Sequence, residues 1–131
     1  MLPFAAARTS LPALKGVKTP VFMMQGRRDF AFGMEHALNA YRALAGPKEL
    51  WFGLSGHAPS SGVAADTPAM LAEGARWFDR YVGGKTSMAF GKPVAISPES
   101  WKGQPVRFAA VPKVVATRAV FAAKTAFGQS G

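Results

Sequence analysis

The sequence has no cysteine, which excludes disulfide bonds, thiolate nucleophiles and cysteine-based zinc sites. Histidine is also scarce. Only His36 and His57 occur in 131 residues, so a histidine-rich metal site is not expected. Every apolar stretch is shorter than the roughly 20 residues that a membrane-spanning helix needs. The apolar N-terminal stretch follows no basic residue and is interrupted by Pro3 and Arg8, unlike a signal peptide. The sequence therefore predicts neither a membrane span nor a signal peptide, and it leaves both a cytoplasmic and a secreted location open.

Acidic residues are few: seven Asp and Glu face sixteen Lys and Arg, a formal net charge of +9 at pH 7. The excess is uneven. Residues 1–82 carry +3 (nine cations minus six anions), and residues 83–131 carry +6 (seven minus one). Such an excess can attract nucleic acid or an anionic membrane. Here the cations of 83–131 are spaced singly and accompany no nucleic-acid-binding motif. A solvated basic surface is the favoured interpretation, and electrostatic binding to nucleic acid or anionic lipid is the weaker alternative.

The remaining composition is that of a folded domain, with 49% hydrophobic and 18% charged residues. The apolar patterning predicts a strand at 20–26, a helix at 33–46, a strand at 48–54 and a helix at 67–84. The first strand is a continuous apolar run, which is typical of a strand buried on both faces. We expect Gly46 to end the first helix, and Asp66 or Thr67 to cap the second. Alternating strands and helices with short connections predict a parallel α/β architecture, in which further strands lie beside these two.

Residues 85–131 differ in character, because four prolines divide them into short pieces. Two of these pieces, PVRFAAV and KVVATRAVFAAKTAF, are rich in Val, Phe, Thr and Ala. Both patterns favour strands, although the second is also compatible with a weak helix. The sequence therefore indicates a change of organisation near residue 84.

An acid and a histidine directly follow the two predicted strands: PVFMMQGRRD ends at Asp29, and ELWFGLSGH ends at His57. In open α/β sheets, functional groups gather at the carboxyl ends of the strands. A carboxylate there would fix the tautomer of the imidazole and stabilise the imidazolium, while the other ring nitrogen acts as general base toward a nucleophile. His36 lies in the middle of a predicted helix, outside its apolar stripe, so we expect it at the surface.

Together these segments resemble the C-terminal part of an α/β-hydrolase catalytic domain, most closely that of Xaa-Pro dipeptidyl-peptidases and cocaine-esterase-like acyl hydrolases. Within residues 15–84, PVFMMQGRRD resembles the strand of the triad acid, GPKELWFGLSGHAPS the strand and loop of the triad histidine, and ARWFDRYVGG the closing helix. The acid precedes the histidine by 28 residues (57 minus 29), in keeping with the Ser, Asp or Glu, His order of that fold. The resemblance implies that Asp29 is the triad acid and His57 the triad base. It also implies that the intact enzyme takes a small ester or peptide substrate and needs no cofactor or metal.

The same resemblance divides the chain into two parts. Residues 1–84 are interpreted as the C-terminal portion of the catalytic domain, a partial α/β-hydrolase fold holding its last two parallel strand-helix units. Residues 85–131 are interpreted as a linker and the start of a C-terminal β-rich region. The chain is accordingly expected to be part of a longer protein.

The chain departs from the hydrolase pattern at the nucleophile. The expected G-x-S-x-G turn should precede the acid, yet only Ser10 does so, in RTSLP. After the acid, APSSG around Ser60 fits a loose variant, and Ser55 lies beside a glycine pair. Neither serine begins a helix, and Pro59 disfavours the strained turn, so Ser60 and Ser61 are predicted to shape the histidine loop. The nucleophile and the oxyanion hole are therefore expected to lie outside this chain.

Two functional hypotheses follow. The chain is a C-terminal fragment of a serine hydrolase, of the acyl esterase or Xaa-Pro peptidase type, and is inactive alone. Alternatively, it is a non-enzymatic interaction module whose exposed apolar faces bind a separate chain, either a complementary hydrolase segment or a second copy.

Overall fold

A computed structural model of the protein describes residues 9–57 and 63–113. These residues form helices α1 (Leu11–Leu14), α2 (Met34–Ala43) and α3 (Thr67–Tyr81), and strands β1 (Val21–Arg28), β2 (Lys48–Gly56), β3 (Val94–Ile96) and β4 (Val106–Phe108). The strands form one sheet in the order β1-β2-β3-β4, with β1, β2 and β3 parallel and β4 antiparallel to β3. A mixed sheet with helices confirms the general α/β class. No helix in the described part of the chain is long and apolar enough to cross a membrane.

Strand β2 carries the core, because side chains on both of its faces are buried between helices. Leu50 and Phe52 point to one face and pack with Tyr41 of α2. Trp51 points to the other face and packs with Met70 of α3. Successive side chains of a strand point to opposite faces. Because both faces of β2 are buried, its apolar residues form a continuous run rather than alternating with polar ones.

Strand β1 is less buried than its apolar run predicts, and the expectation of burial on both faces is wrong for it. Phe22 packs against Trp77 of α3, with ring centroids 6.0 Å apart, and Met23 packs against the core on the α2 face. Met24, however, is 50% exposed. The reason is topological: among the described residues, β1 is an edge strand, and Met24 lines a groove between β1 and α3.

The helix ends also differ from those predicted. Helix α2 stops at Ala43, and Leu44 already has extended backbone angles. Lys48 binds this end of the helix: its Nζ donates to the carbonyl oxygens of Tyr41 (2.8 Å) and Leu44 (2.6 Å). A lysine thus satisfies carbonyls at the helix end that the prediction assigned to a glycine cap at Gly46.

The segment after α3 adds strands to the same sheet. Val94 of β3 pairs with Leu50, and β4 confirms the strand predicted within PVRFAAV. Arg107 anchors β4 by donating to Glu49 (2.9 Å) and Glu73 (2.6 Å). The interpretation of residues 85–131 as a linker and the start of a β-rich region stays a prediction, and all of KVVATRAVFAAKTAF except Lys113 lies outside the described residues.

Candidate active site

Asp29 and His57 meet at the carboxyl ends of the two paired strands. Nδ1 of His57 lies 3.1 Å from Oδ1 and 3.3 Å from Oδ2 of Asp29. The strand register brings them together: Gly26 pairs with Gly53, but after an irregularity Arg28 pairs with Gly56. Because β2 has one extra residue here, Asp29 and His57 directly follow the pair of Arg28 and Gly56. Their side chains therefore face each other.

The conformation of Asp29 is set by its own loop. Its Oδ1 accepts hydrogen bonds from the backbone N–H groups of Ala31 and Phe32, both at 2.9 Å. The Phe32 N–H is the main reason that the pKa of the Asp29 carboxyl lies below its usual value. The Ala31 N–H and His57 lower that pKa further, whereas partial burial opposes them. Asp29 is therefore ionised at neutral pH and can only accept, so Nδ1 of His57 carries the proton.

Two phenylalanine rings flank the imidazole of His57. Phe30 meets it edge-on at 5.3 Å between centroids, and Phe32 meets it at 5.6 Å with a tilt of 48°. The Asp29 side chain is 14% exposed and that of His57 is 35% exposed, so the acid is the more enclosed of the pair. Phe30 and Phe32 are themselves 78% and 58% exposed. The rings limit rotation of the imidazole while the site remains accessible.

The other candidate residues lie away from this pair or outside the described chain. His36 is 67% exposed and faces Glu35 on the surface of α2, as predicted. Ser10 precedes α1, and the hydroxyl of Ser55 faces the neighbouring strand, where it would lie 2.7 Å from a Cβ placed on Gly26. Ser60 and Ser61 belong to residues 58–62, which the structure does not describe. Across residues 9–57 and 63–113, no group of three or more His, Asp or Glu could hold a metal ion.

The two arginines beside the acid are paired with another carboxylate. Arg28 donates to Glu99 at 2.5 Å, and Arg27 lies 3.3 Å from the same carboxyl group. Arg27 also donates to the backbone carbonyl of Ser97. Glu99 thus offsets the positive charge next to Asp29, and the segment after β3 contributes to the site.

A buried polar network supports the histidine strand from behind, and sequence reasoning missed it. Asp66 was expected to cap α3, but its side chain makes no cap hydrogen bond. Instead its Oδ2 accepts from the Leu54 N–H (3.1 Å) and from the Ser97 hydroxyl (2.5 Å), and Ser97 Oγ accepts from Trp51 Nε1 (2.9 Å). Leu54 lies three residues before His57, so this network fixes the end of β2. The only sequence signals were a serine and an aspartate 31 residues apart, which no local pattern connects.

Comparison of the chain with protein-family models, curated proteins and solved structures found no match. The functional interpretation therefore rests on the geometry of Asp29 and His57 and on the resemblance carried by their flanking residues.

Proposed function

We propose that this chain supplies the acid and the base of a serine acyl hydrolase, of the acyl esterase or Xaa-Pro peptidase type, and that it is inactive alone. The observation that carries the proposal is the contact of 3.1 Å between Nδ1 of His57 and an ionised, loop-anchored Asp29. This is the arrangement in which a carboxylate holds an imidazole in the tautomer that accepts a proton at Nε2. Its place at the carboxyl ends of adjacent parallel strands also suits an active site.

In the proposed reaction, Nε2 of His57 takes the proton of a serine hydroxyl while the serine oxygen attacks the carbonyl carbon of an ester or amide. Asp29 stabilises the imidazolium that forms. The imidazolium then returns its proton to the leaving alcohol or amine as the carbon–oxygen or carbon–nitrogen bond breaks. Water, activated by the same imidazole, releases the acid from the acyl-enzyme. These steps need no cofactor or metal.

The nucleophile of this proposal comes from a segment other than those described. Neither Ser10 nor Ser55 sits on the strand-to-helix turn that presents a catalytic serine, because Ser10 precedes a four-residue helix and Ser55 lies within β2. The oxyanion hole, normally built from two backbone N–H groups, is likewise assigned to the complementary part of the enzyme.

The test is hydrolysis of p-nitrophenyl acetate by the full chain, compared across single variants. Inactive alone means without serine-dependent turnover, because the His57 imidazole should itself still attack this activated ester weakly as a nucleophile. We expect the rate to fall to background in His57→Ala, and to fall in Asp29→Asn because the fixed tautomer is lost. We expect no change in Ser60→Ala.

The chain provides a matched control in its second histidine, the exposed His36. Equal rates for His36→Ala and His57→Ala would show that His57 has no special basicity and would refute the proposal. A rate that disappears in both His57→Ala and Ser60→Ala would instead mean that APSSG supplies the nucleophile and that the chain is active alone.

A groove beside β1 favours the second function, an interaction module that binds a separate chain. The groove measures about 550 Å³ and lies between β1 and α3. Its lining is almost wholly apolar and includes Met24, Leu71 and Phe78, which are 50%, 55% and 65% exposed. Apolar side chains gathered at an open sheet edge are typical of an interface rather than of a solvated surface.

In this second function, the occupant of the groove is a complementary hydrolase segment that adds a strand to β1. Size-exclusion chromatography with light scattering tests it on the full chain, alone and with candidate hydrolase segments. We expect a complex that Phe78→Glu abolishes, whereas Val106→Glu, on β4 at the opposite edge of the sheet, leaves it intact. A folded monomer that binds none of these segments would contradict the module hypothesis, and a dimer of the chain alone would assign the groove to a second copy.

A further inference from the structure

The side-chain amide of Gln25 joins the end of β1 to the far side of the loop that carries Asp29. Its Nε2 donates to two carbonyl oxygens, those of Gly26 and Phe32, each at 3.0 Å. Both partners are acceptors, so the amide orientation is fixed and both of its N–H donors are used. Gln25 thus spans seven residues of chain with one side chain.

The same loop is held from inside by Asp29. Both backbone groups of Phe32 are hydrogen-bonded to side chains: its N–H donates to Asp29 Oδ1 at 2.9 Å, and its C=O accepts from Gln25. The carbonyl of Gly26 is also shared, because the Asp29 N–H points to it at 3.4 Å. Gln25 therefore holds both ends of segment 26–32, which contains the N–H groups that orient the acid.

We propose that Gln25 is a positioning residue that holds the Asp29 carboxylate toward Nδ1 of His57 by fixing the backbone of residues 29–32. The inference rests on the proposed function, since it assigns Gln25 a role in the acid-base pair. Gln25 acts through residue Phe32: its amide holds the Phe32 C=O, and the N–H of the same residue has the largest effect on the Asp29 carboxyl.

Without the amide, the Phe32 carbonyl loses the donor that ties it to β1, and the backbone of residues 29–32 gains freedom to move. The Phe32 N–H would then leave Oδ1, and the carboxylate would lose the constraint that directs it at the histidine. A side chain of the same length without N–H donors is the sharpest perturbation, because it keeps the packing of β1 and removes only the two hydrogen bonds.

The test compares the full chain with Gln25→Met, with Gln25→Glu, and with the control Gln104→Met, which changes an exposed glutamine outside the site. Two NMR readouts report the pair directly. The chemical shift of the Asp29 carboxyl carbon, followed across pH, gives the pKa of that carboxyl group. The second readout is the exchange rate of the His57 Nδ1 proton. In Gln25→Met we expect the Asp29 pKa to rise toward its usual value. We also expect the Nδ1 proton to exchange roughly five- to tenfold faster, as for loss of one hydrogen bond. In Gln25→Glu the ionised side chain cannot donate at neutral pH, so the His57 Nδ1 proton should exchange there as fast as in the methionine variant.

The outcomes separate this inference from the proposed function. If the wild-type chain shows no Asp29-dependent protection of the Nδ1 proton, the acid-base pair and the proposed function both fail. If wild type shows the pair but Gln25→Met and Gln104→Met leave both readouts equally unchanged, Gln25 is structural only and the inference fails. Should the methionine variant not fold, Gln25→Glu decides: wild-type readouts at neutral pH would overturn the role of the amide donors.

Discussion

Every polar group of Ser97, a fully buried residue, has a hydrogen-bond partner. Its N–H donates to the carbonyl of Phe52 (2.9 Å), and its C=O accepts from Arg27. Its hydroxyl donates to Asp66 and accepts from Trp51. Substitution of Ser97 by alanine keeps both backbone contacts and removes only the two hydroxyl contacts, so the change isolates the side-chain part of the network.

The expected cost follows from the kind of hydrogen bonds lost. The bond to the Asp66 carboxylate is short, at 2.5 Å, and fully buried, and bonds to charged groups contribute about 1.5–3 kcal/mol. The bond from Trp51 is between neutral groups and contributes about 1 kcal/mol. Ser97→Ala should therefore lower the free energy of unfolding by about 2.5–4 kcal/mol. That is a large fraction of the roughly 5–15 kcal/mol typical of a domain.

Urea unfolding followed by tryptophan fluorescence measures this cost in the full chain. The matched control is Ser100→Ala, three residues away and exposed, which should change stability by less than about 0.5 kcal/mol. A Ser97→Ala variant as stable as Ser100→Ala would refute the reasoning, since it would mean that Asp66 and Trp51 find other partners at no cost.

Three further predictions concern charge and close packing. Burial raises the pKa of the Glu49 carboxyl in the folded chain. Protonated Glu49 therefore stabilises the fold below about pH 4.3, and this stabilisation is lost as the pH rises through the raised pKa. Glu49→Gln should flatten this dependence in urea unfolding across pH. The pH dependence from Asp29 runs the other way, because its pKa is lowered in the folded chain. Ionised Asp29 stabilises the fold above about pH 3.9, and this stabilisation is lost on acidification. Asp29→Asn should abolish that loss. In Gly26→Ala, a Cβ 2.3 Å from the Ser55 carbonyl oxygen should push the strands apart, at a cost of about 1–3 kcal/mol in thermal unfolding. Unchanged pH profiles or an unchanged melting temperature would contradict the respective prediction.

The parts of the fold that sequence predicted are those set by local pattern. The run KELWFGL predicted a strand at 48–54, and β2 is Lys48–Gly56. The two helices were found from their apolar spacing, although each ends three residues earlier than predicted. The meeting of Asp29 and His57 was predictable as well. Parallel strands end at the same edge of a sheet, and each residue follows its strand directly.

The parts that sequence could not predict depend on partners far along the chain. Nothing near Asp66 indicates that its carboxylate turns away from the helix N-terminus to meet Ser97, because the two competing donors lie in β2 and just after β3. The exposure of Met24 depends on how many strands lie beside β1, a number that an apolar run does not encode. The contact of Lys48 with the last carbonyls of α2 was missed for the same reason, because Lys48 belongs to β2.

The acid and the histidine are positioned by separate means, and this bears on the proposed function. Asp29 is oriented by hydrogen bonds within its own loop, whereas His57 is carried to it by the register of β2, which Asp66 fixes at Leu54. Neither constraint involves the strand that would bear a nucleophile. In the proposed mechanism the pair is thus preorganised before any serine arrives, and a docking segment has to bring only a hydroxyl and two N–H donors within hydrogen-bond reach. The free energy of docking would then not have to order the acid and the base.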